Sequence, residues 1–522
     1  MRKLYHFHGG IHPPSNKTQS TRLAIAHVPL PSRLIVPLHQ HAGETAKPVV
    51  QAGDHVLKGQ VIGMPDGFVS SAVHAPTSGT VAAIDMQLIA HPSGLPNLCA
   101  TLIPDGKDEW AERKPVDNYR SHSPAELQHL LRMAGVVGLG GAVFPSDIKL
   151  RIGKQKIATL ILNGAECEPY ITCDDMLMRE RAEEIVQGAE ILRFMLDASE
   201  VLYGVEDNKP EAIAALQQAI KDSGMKHEAV AIPTIYPGGS AKQLICVLTG
   251  LEVPSGKLPT DIGVQCFNVA TAYSVYRALA HGEPLLSRVI TITGNVREAR
   301  NYEALIGTPI AELVALSESL PDTNGYIMGG PMMGFPLPGI HVPMVKATNC
   351  IIAASAKLFP TPPPAMPCIR CTRCVEVCPA DLQPQDLFWF AQSKEFGRAQ
   401  AFSLFDCIEC GACSYVCPSR IPLVQFYRFA KSEIRAREHD KQLADQARVR
   451  HEFHEQRLER EKREKAEKLA AKEKAAQAAK LASAQPLTPQ QQEELAELEA
   501  SRAHIRELAQ SDVGHSDEGV MK

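Results

Sequence analysis

No stretch of this chain reaches the roughly eighteen apolar residues of a membrane-crossing helix, and the opening MRKLYHFHGG has no apolar core of signal length. Membrane association is therefore expected through a partner. Positive charge is not in excess: 54 Lys and Arg against 59 Asp and Glu leave −5 at neutral pH, which argues against nucleic acid as a partner. What is present is a hydrophobic content of 44% over 522 residues, enough for three or four domains that each bury a core. The chain also has fourteen cysteines, which imply a reducing compartment with the cytoplasm as the default.

Eight of those cysteines form a duplicated comb. Cys368, Cys371, Cys374 and Cys378 stand in PCIRCTRCVEVCP, and Cys407, Cys410, Cys413 and Cys417 in DCIECGACSYVCP, with a helical spacer between. Three thiolates two residues apart wrap one corner of a cubane, while the fourth, before Pro379 or Pro418, is carried to the other cluster. The spacing assigns Cys368, Cys371, Cys374 and Cys417 to one 4Fe-4S cluster, and Cys407, Cys410, Cys413 and Cys378 to the second. Zinc would need four ligands, and this comb of eight has no matching histidine. Gly411 and Ala412 stand where backbone N–H groups must approach sulfur.

The N-terminal FHGGIHPP holds His6, His8 and His12; without a nearby acid or thiol it reads as a Gly/Pro loop rather than a metal site. From Leu34 short alternating runs with turns at Ala52-Gly53-Asp54 and Pro76-Thr77-Ser78-Gly79 suggest a small barrel-like sandwich. VVQAGDHVLKGQVIG and APTSGTV resemble the framing strands of lipoyl and biotinyl carriers. MPDGF, Met64 to Phe68, offers no lysine at the hairpin apex, and Lys58 reads as a solvated charge, so the module is expected to be structural.

In the central region Ser123-Pro124-Ala125-Glu126 starts a helix running to Met133. GVVGLGGAVFPSDIKL follows, its glycines leaving backbone N–H groups open to a phosphate, although such a loop is also an ordinary tight turn. Ile157 to Tyr170 reads as a buried strand ending in Asn163, Glu166 and Glu168, where parallel sheets bind ligands; a solvated strand end is the plainer reading of the two glutamates. Helices around Arg179 to Leu196 and Lys209 to Ser223 alternate with strands at Glu200 to Val205 and Ala229 to Pro233. A second glycine turn, YPGGSAKQLI, opens a further helix. Cys167, Cys173, Cys246 and Cys266 lack ligand spacing and read as small core residues.

Taken in order, GLGGAVFPSDIK, NGAECEP, YPGGSAKQLI and FNVATA resemble the flavin and NADH-binding subunit of respiratory complex I. The chain from FHGGIHPP through the comb resembles the RnfC family of Rnf (ion-translocating oxidoreductase) complexes, over roughly residues 1 to 434. The resemblance implies that Gly138, Gly140, Gly141 and Lys149 hold the FMN phosphate region, and that Phe144 faces the nicotinamide. It further implies that Asn163, Glu166 and Glu168 line flavin and nicotinamide, and that Tyr236, Gly238, Gly239, Asn268 and Thr271 close the site. Two positions depart from that pattern: an acidic residue is replaced by Ala165, and paired glutamates by Ser240 and Ala241. Lys149 also reads as a surface lysine after a turn.

Strands at Arg288 to Gly294 and in GYIMGGPMMGFPL, with a helix at Thr308 to Ser317, resemble the soluble ligand-binding β-grasp domain that follows the flavin domain in complex I. Met328, Met332, Met333 and Cys350 read as packing residues. Beyond Phe429 the composition becomes Lys, Arg, Glu, Ala and Gln, a solvated helix broken at Pro486, after which Thr488-Pro489-Gln490-Gln491 caps a second helix. That tail is expected to be flexible and non-catalytic.

The expected architecture is multidomain α/β and α+β. It comprises a barrel-sandwich (lipoyl-like) module at 1–112, a Rossmann-like FMN/NADH domain at 115–282, a β-grasp domain at 283–358, a two-cluster ferredoxin-type domain at 360–434 and a charged tail at 435–522. The resemblance implies a peripheral electron-input subunit on the cytoplasmic face of the inner membrane. It would pass electrons from NADH through FMN to two 4Fe-4S clusters and on to an iron–sulfur partner subunit of a translocase. The alternatives are a soluble NADH:ferredoxin-type dehydrogenase, and a non-enzymatic cluster-bearing adaptor with a vestigial flavin domain.

Overall fold

A computed structural model describes residues 2–153, 155–482 and 487–511. Among the described residues, those up to 434 pack as one compact unit and those from 435 onward as another. The first unit is built round a parallel sheet whose strands, in spatial order, are His227–Ile232, Glu200–Glu206, Thr159–Gly164 and Val264–Asn268. The sequence TLILNG is apolar on both faces because helices cover both sides, as buried parallel strands require. The first strand in sequence lies third in space, so the order reverses between Thr159–Gly164 and Val264–Asn268. At that reversal Asn163 and Asn268 are register partners at the carboxyl ends, which is where such sheets open a ligand crevice.

Helices Ala182–Leu196 and Val269–Ala280 cross so tightly that a Cβ on Gly188 would stand 1.9 Å from the Ala272 carbonyl oxygen. The expected helix around Arg179 to Leu196 is in fact two. Cys173–Glu180 ends where Arg181 turns to an extended φ of −133°, and Ala182–Leu196 restarts from it. The expected long strand is also shorter. It stops at Gly164, because the left-handed backbone of Glu166 and Tyr170 turns the chain into a loop. The Ser123 capping box and the helix Pro124–Met133 are as the sequence pattern implies.

Residues 34–104 form a four-stranded and a three-stranded antiparallel sheet around a small core that includes Leu34, Val36, Val56 and Ile62. Lys58 is not a solvated charge. Its ammonium meets Asp108 at 2.6 Å and lies 4.8 Å from the Trp110 ring centre, because the segment after the sandwich folds back over it. A six-stranded sheet takes Ser287–Gly294, Arg300–Leu305, Thr323–Met328, Phe335–Pro336 and Cys350–Ser355, and its edge strand, Ala26–His27, comes from the N-terminal segment. The comb region has its own core, with Leu387, Ala391, Leu404 and Tyr427 at its centre.

The 60-residue helix Leu423–Ala482 begins in the first unit, and its residues in the second carry Arg-to-Glu pairs four apart, such as Arg457–Glu461 at 3.2 Å, all exposed and therefore weak. Thr488 precedes the helix Pro489–Ser511, and its N–H and hydroxyl both donate to Gln491. Pro486 lies outside the described residues. No helix among the described residues is long and apolar enough to cross a membrane.

Lys346 joins three parts of the first unit. Its buried ammonium donates to the carbonyls of Ala72, in the sandwich, and Gly135, at the head of the glycine loop, at 3.2 and 2.7 Å. Burial lowers it to about 7, against about 10.4 in an unfolded chain. Between those values the unfolded chain holds a proton that the folded chain has released. Stability from this position therefore grows as pH rises from about 7 towards about 10. Lys346→Met, which strips the two carbonyls of their donor, is expected to cost about 1–3 kcal/mol and to flatten that rise, read as thermal midpoints of both chains across the range.

Candidate functional site

The glycine loop projects over the crevice from a narrow base. Val137 bridges to Pro145, and the Gly138 N–H donates to the Phe144 carbonyl at 2.8 Å. Gly140 and Gly141 are exposed, and Phe144 is half-buried beside them. Gly141 has φ +116°, which bars other residues, and a Cβ there would meet nothing within 4 Å. Its bare backbone thus borders open space. A Cβ on Gly140 would lie 3.4 Å from the Asn268 side chain. The Thr271 hydroxyl accepts from the Leu139 N–H at 2.9 Å, tying the loop to the helix below.

Several side chains that resemblance assigns to the cofactor are engaged in building the crevice. Asn268 caps the helix Val269–Ala280, accepting from the N–H groups of Ala270 and Thr271, and its amide donates to Asp174 at 2.6 Å. Asn163 donates to the Gly239 carbonyl at 2.7 Å and accepts from the Ala165 N–H. Gly239 in turn donates to Cys167 sulfur at 3.2 Å, and a Cβ there would press to 2.9 Å of that sulfur. Gly238 donates to the Ile235 carbonyl. Lys149 turns to the strand Val264–Asn268: its ammonium donates to the Cys266 carbonyl and stands 4.4 Å from the Phe267 ring centre. Burial lowers its proton affinity.

Glu166 and Glu168 are half-buried, and each is held by backbone N–H groups. Glu166 accepts from the N–H groups of Asp174 and Asp175, at 2.7 and 3.2 Å, at the start of the helix Cys173–Glu180. Glu168 is tucked against the GGPMMG turn, one oxygen accepting from the N–H groups of Met332 and Met333 at 2.7 and 3.0 Å. Burial raises its proton affinity despite those bonds. The loop between them is pinned by two lysines that sequence reading missed. Lys17 donates to the carbonyls of Glu166, Glu168 and Ile171, and Lys209 donates to Ala165 and pairs with Glu206 at 2.6 Å. No spacing rule marks Lys17, because its partners lie about 150 residues away. Nor do His6, His8 and His12 converge: His8 bonds the Cys378 carbonyl and His12 that of Thr234.

In the comb the backbone repeats position by position. Left-handed residues recur as Arg370 and Glu409, Thr372 and Gly411, and Asp381 and Arg420, and the short helices Arg373–Glu376 and Ala412–Tyr415 correspond. Two small cavities result. Cys368, Cys371, Cys374 and Cys417 line one, and Cys378, Cys407, Cys410 and Cys413 line the other. Backbone N–H groups of Arg370, Leu382 and Glu409 point at the sulfurs of Cys368, Cys378 and Cys407, each at 3.4 Å. Such donors match sulfurs that carry negative charge, so the residues fit a cubane in each cavity.

The cavity containing Cys410 abuts the crevice. The Tyr236 hydroxyl, from the second glycine turn, donates to the Cys410 carbonyl at 2.5 Å, and Gln243 donates to the Pro379 carbonyl at 3.0 Å. Gly10 donates to the Val377 carbonyl at 3.0 Å, and a Cβ on Gly9 would lie 2.6 Å from that residue's carbonyl carbon. Ile11, Tyr236, Cys410 and Ala412 form a shared apolar patch. The other cavity is bordered by exposed Cys371 and by Ile369, which is 66% exposed.

Three family models match: the Nuo51 FMN-binding domain at residues 131–277, the RnfC barrel sandwich hybrid domain at 5–107 and a 4Fe-4S dicluster domain at 367–421. FMN and 4Fe-4S clusters are thus the cofactors of the matched regions. The C subunit of the ion-translocating oxidoreductase complex of Pectobacterium carotovorum subsp. carotovorum (strain PC1) is 50% identical over 460 residues, 88% of this chain and 61% of that protein. Its namesake from Pasteurella multocida (strain Pm70) is 46% identical over 406 residues, 77% of this chain and 48% of that protein. The chain therefore spans about half to three fifths of the length of these relatives. An NAD+-reducing [NiFe]-hydrogenase in its H2-reduced state superposes with a TM-score of 0.44 at 16% identity, over 62% of this chain and 63% of that one, too loosely to bear on the site.

If each cavity holds a cubane, Cys378→Ser should empty the cavity of Cys407, Cys410 and Cys413 and spare that of its sequence neighbours Cys371 and Cys374. Iron is expected to fall from about eight to about four per chain, with one cluster signal retained, measured by iron assay and electron paramagnetic resonance. By its matching domains and relatives the chain belongs to the RnfC family, the C subunits of ion-translocating oxidoreductase complexes.

Proposed function

We propose that this chain is the peripheral electron-input subunit of an Rnf-type complex, taking electrons from NADH at FMN in the crevice and passing them through two 4Fe-4S clusters to an iron–sulfur partner subunit. The observation that carries this is the seam at Tyr236, where a residue of the second glycine turn of the crevice bonds and packs against Cys410, which lines a cysteine cavity. In this reading Gly138, Gly140 and Gly141 present bare backbone to the flavin phosphate side, with Phe144 beside them towards the nicotinamide. Asn163, Asn268 and Thr271 keep that backbone in position, and Gly238 and Gly239 close the opposite wall. Lys149 contributes positive potential from its place on the Cys266 carbonyl. When bound, FMN accepts an electron pair from a nicotinamide and releases it singly.

Glu166 and Glu168 shape the floor and bring carboxyl groups near the nicotinamide side. The cluster held by Cys378, Cys407, Cys410 and Cys413 is the receiving cluster, because Tyr236, Gln243 and Gly10 seat it on the crevice. The cluster held by Cys368, Cys371, Cys374 and Cys417 is the exit cluster, since its rim is exposed. The six-stranded sheet at 283–358 acts as a β-grasp brace, and residues 1–112, 115–282, 360–434 and 435–522 serve as sandwich, flavin, cluster and tail regions. The protein sits on the cytoplasmic face of the membrane through partners, and the complex couples the flow to ion movement.

Anaerobic titration with NADH and, separately, NADPH tests this. NADH is expected to bleach bound flavin and then the cluster absorbance, whereas intact cluster spectra with no bound flavin and no nucleotide response would overturn it.

A further inference from the structure

Oxidising a nicotinamide donor with one-electron acceptors leaves a proton behind: NADH gives NAD+, one proton and two electrons, and the electrons go to the 4Fe-4S clusters. That proton needs an acceptor, and a carboxyl beneath the glycine loop is placed to take it. We propose that Asp174, Ser287 and Glu303, with His27 at the surface, form a proton relay from beneath the glycine loop to solvent. This rests on the reading of the Gly138 to Gly141 crevice as the flavin site.

Asp174 is buried below that crevice, its carboxyl accepting from the same Asn268 that lies against Gly140. Behind it is a small cavity lined by Leu139, Asp174, Ser274, Ser287, Arg288 and Glu303. Its space of about 20 Å³ exceeds what one water needs, roughly 10–15 Å³, and its walls supply several polar partners. On the far side a cavity of about 560 Å³ shares Ser274, Ser287 and Glu303 with it. Ser287 donates to one oxygen of Glu303 at 2.9 Å, and the other oxygen lies 3.5 Å from His27 Nδ1. His27 is 77% exposed and sits opposite Glu303 on the neighbouring strand, so the chain ends in solvent.

The charges fit the role. Burial first, and Glu166 second, raise Asp174 to about 7, against the opposing pull of Asn268, Arg288 and Lys209. Its carboxyl therefore gains and loses a proton near neutrality. Glu303 is faced by His27, Ser287, Tyr273, Arg277 and Glu184, a set of both signs that places proton donors and acceptors on either side of it. In the relay a proton binds the Asp174 carboxylate, passes to Glu303 by way of a water that the small cavity has room for, and departs by His27, with no bond to carbon formed or broken. Glu166 is closed to this traffic by the backbone N–H groups that both its oxygens accept.

Infrared spectra of the full chain carrying both clusters test the relay. A protonated-carboxyl C=O band should vanish with a midpoint near pH 7 and be missing from Asp174→Asn. After mixing into D2O, exchange of that proton should slow roughly tenfold in Glu303→Gln and in Ser287→Ala, two positions that leave the crevice walls intact. Cluster absorbance checks the fold of each variant, and Ser287→Ala decides if Glu303→Gln does not fold. A band that persists in Asp174→Asn, or exchange at the native rate in the folded variant, overturns the relay. Visible spectra of the same samples with FMN added report flavin binding. Native-rate exchange in a chain that binds flavin sinks the relay alone, while slowed exchange in a chain that binds none sinks the flavin reading and with it the relay's purpose.

Discussion

Irregular backbone inside a protein leaves carbonyl oxygens without strand or helix partners, and the interior must supply donors for them. In this molecule lysine ammoniums do so. Lys17 gathers three carbonyls of the loop after the first parallel strand, Lys209 takes a fourth while pairing with Glu206, and Lys346 joins the sandwich to the root of the glycine loop. An ammonium is suited to this because it offers three donors on a long stem that can reach between chain segments. The loop so held is the one that carries Glu166 and Glu168. Without those donors the acids would not be kept at the crevice floor, so the geometry of the site depends on residues that do not face it.

This explains which parts were legible in the sequence. The cysteine comb was, because every ligand lies within a few residues of the next and the crossing of the fourth follows from a local turn before proline. The alternating strands and helices were, because burial on both faces writes itself as unbroken apolar runs such as TLILNG. The glycines were informative where the backbone demanded them, as at Gly141. What could not be read was long-range: Lys17 with its carbonyls, Lys58 under Trp110, and Ala26–His27 lent to the edge of a distant sheet. The two glutamates carried a mixed message. Their acidity marked the loop just past the strand end, but the backbone N–H groups that receive them come from a helix start and a methionine turn whose positions no local pattern reveals.

The seam between crevice and comb joins a regular element to an irregular one. The helix Ala241–Thr249 and its preceding turn offer Gln243 and Tyr236, while the comb offers main-chain carbonyls exposed by its left-handed turns. Glycines at 9 and 411 allow the backbones to meet, since a methyl group at either would collide with the facing chain. The two halves of the comb share a backbone trace but not an environment. One is covered by the seam and the other faces outward, so a symmetric repeat becomes a directional pair.

Each cysteine cavity also takes its last wall from the opposite half of the comb. During synthesis the first three thiols emerge well ahead of Cys417, and their pocket stays open until the second half has left the ribosome. The set that begins first is therefore finished last: Cys378, Cys407, Cys410 and Cys413 are all in place before Cys417 closes the other cavity, and a chain cut short before Cys417 would leave Cys368, Cys371 and Cys374 as an unfinished set beside a complete one.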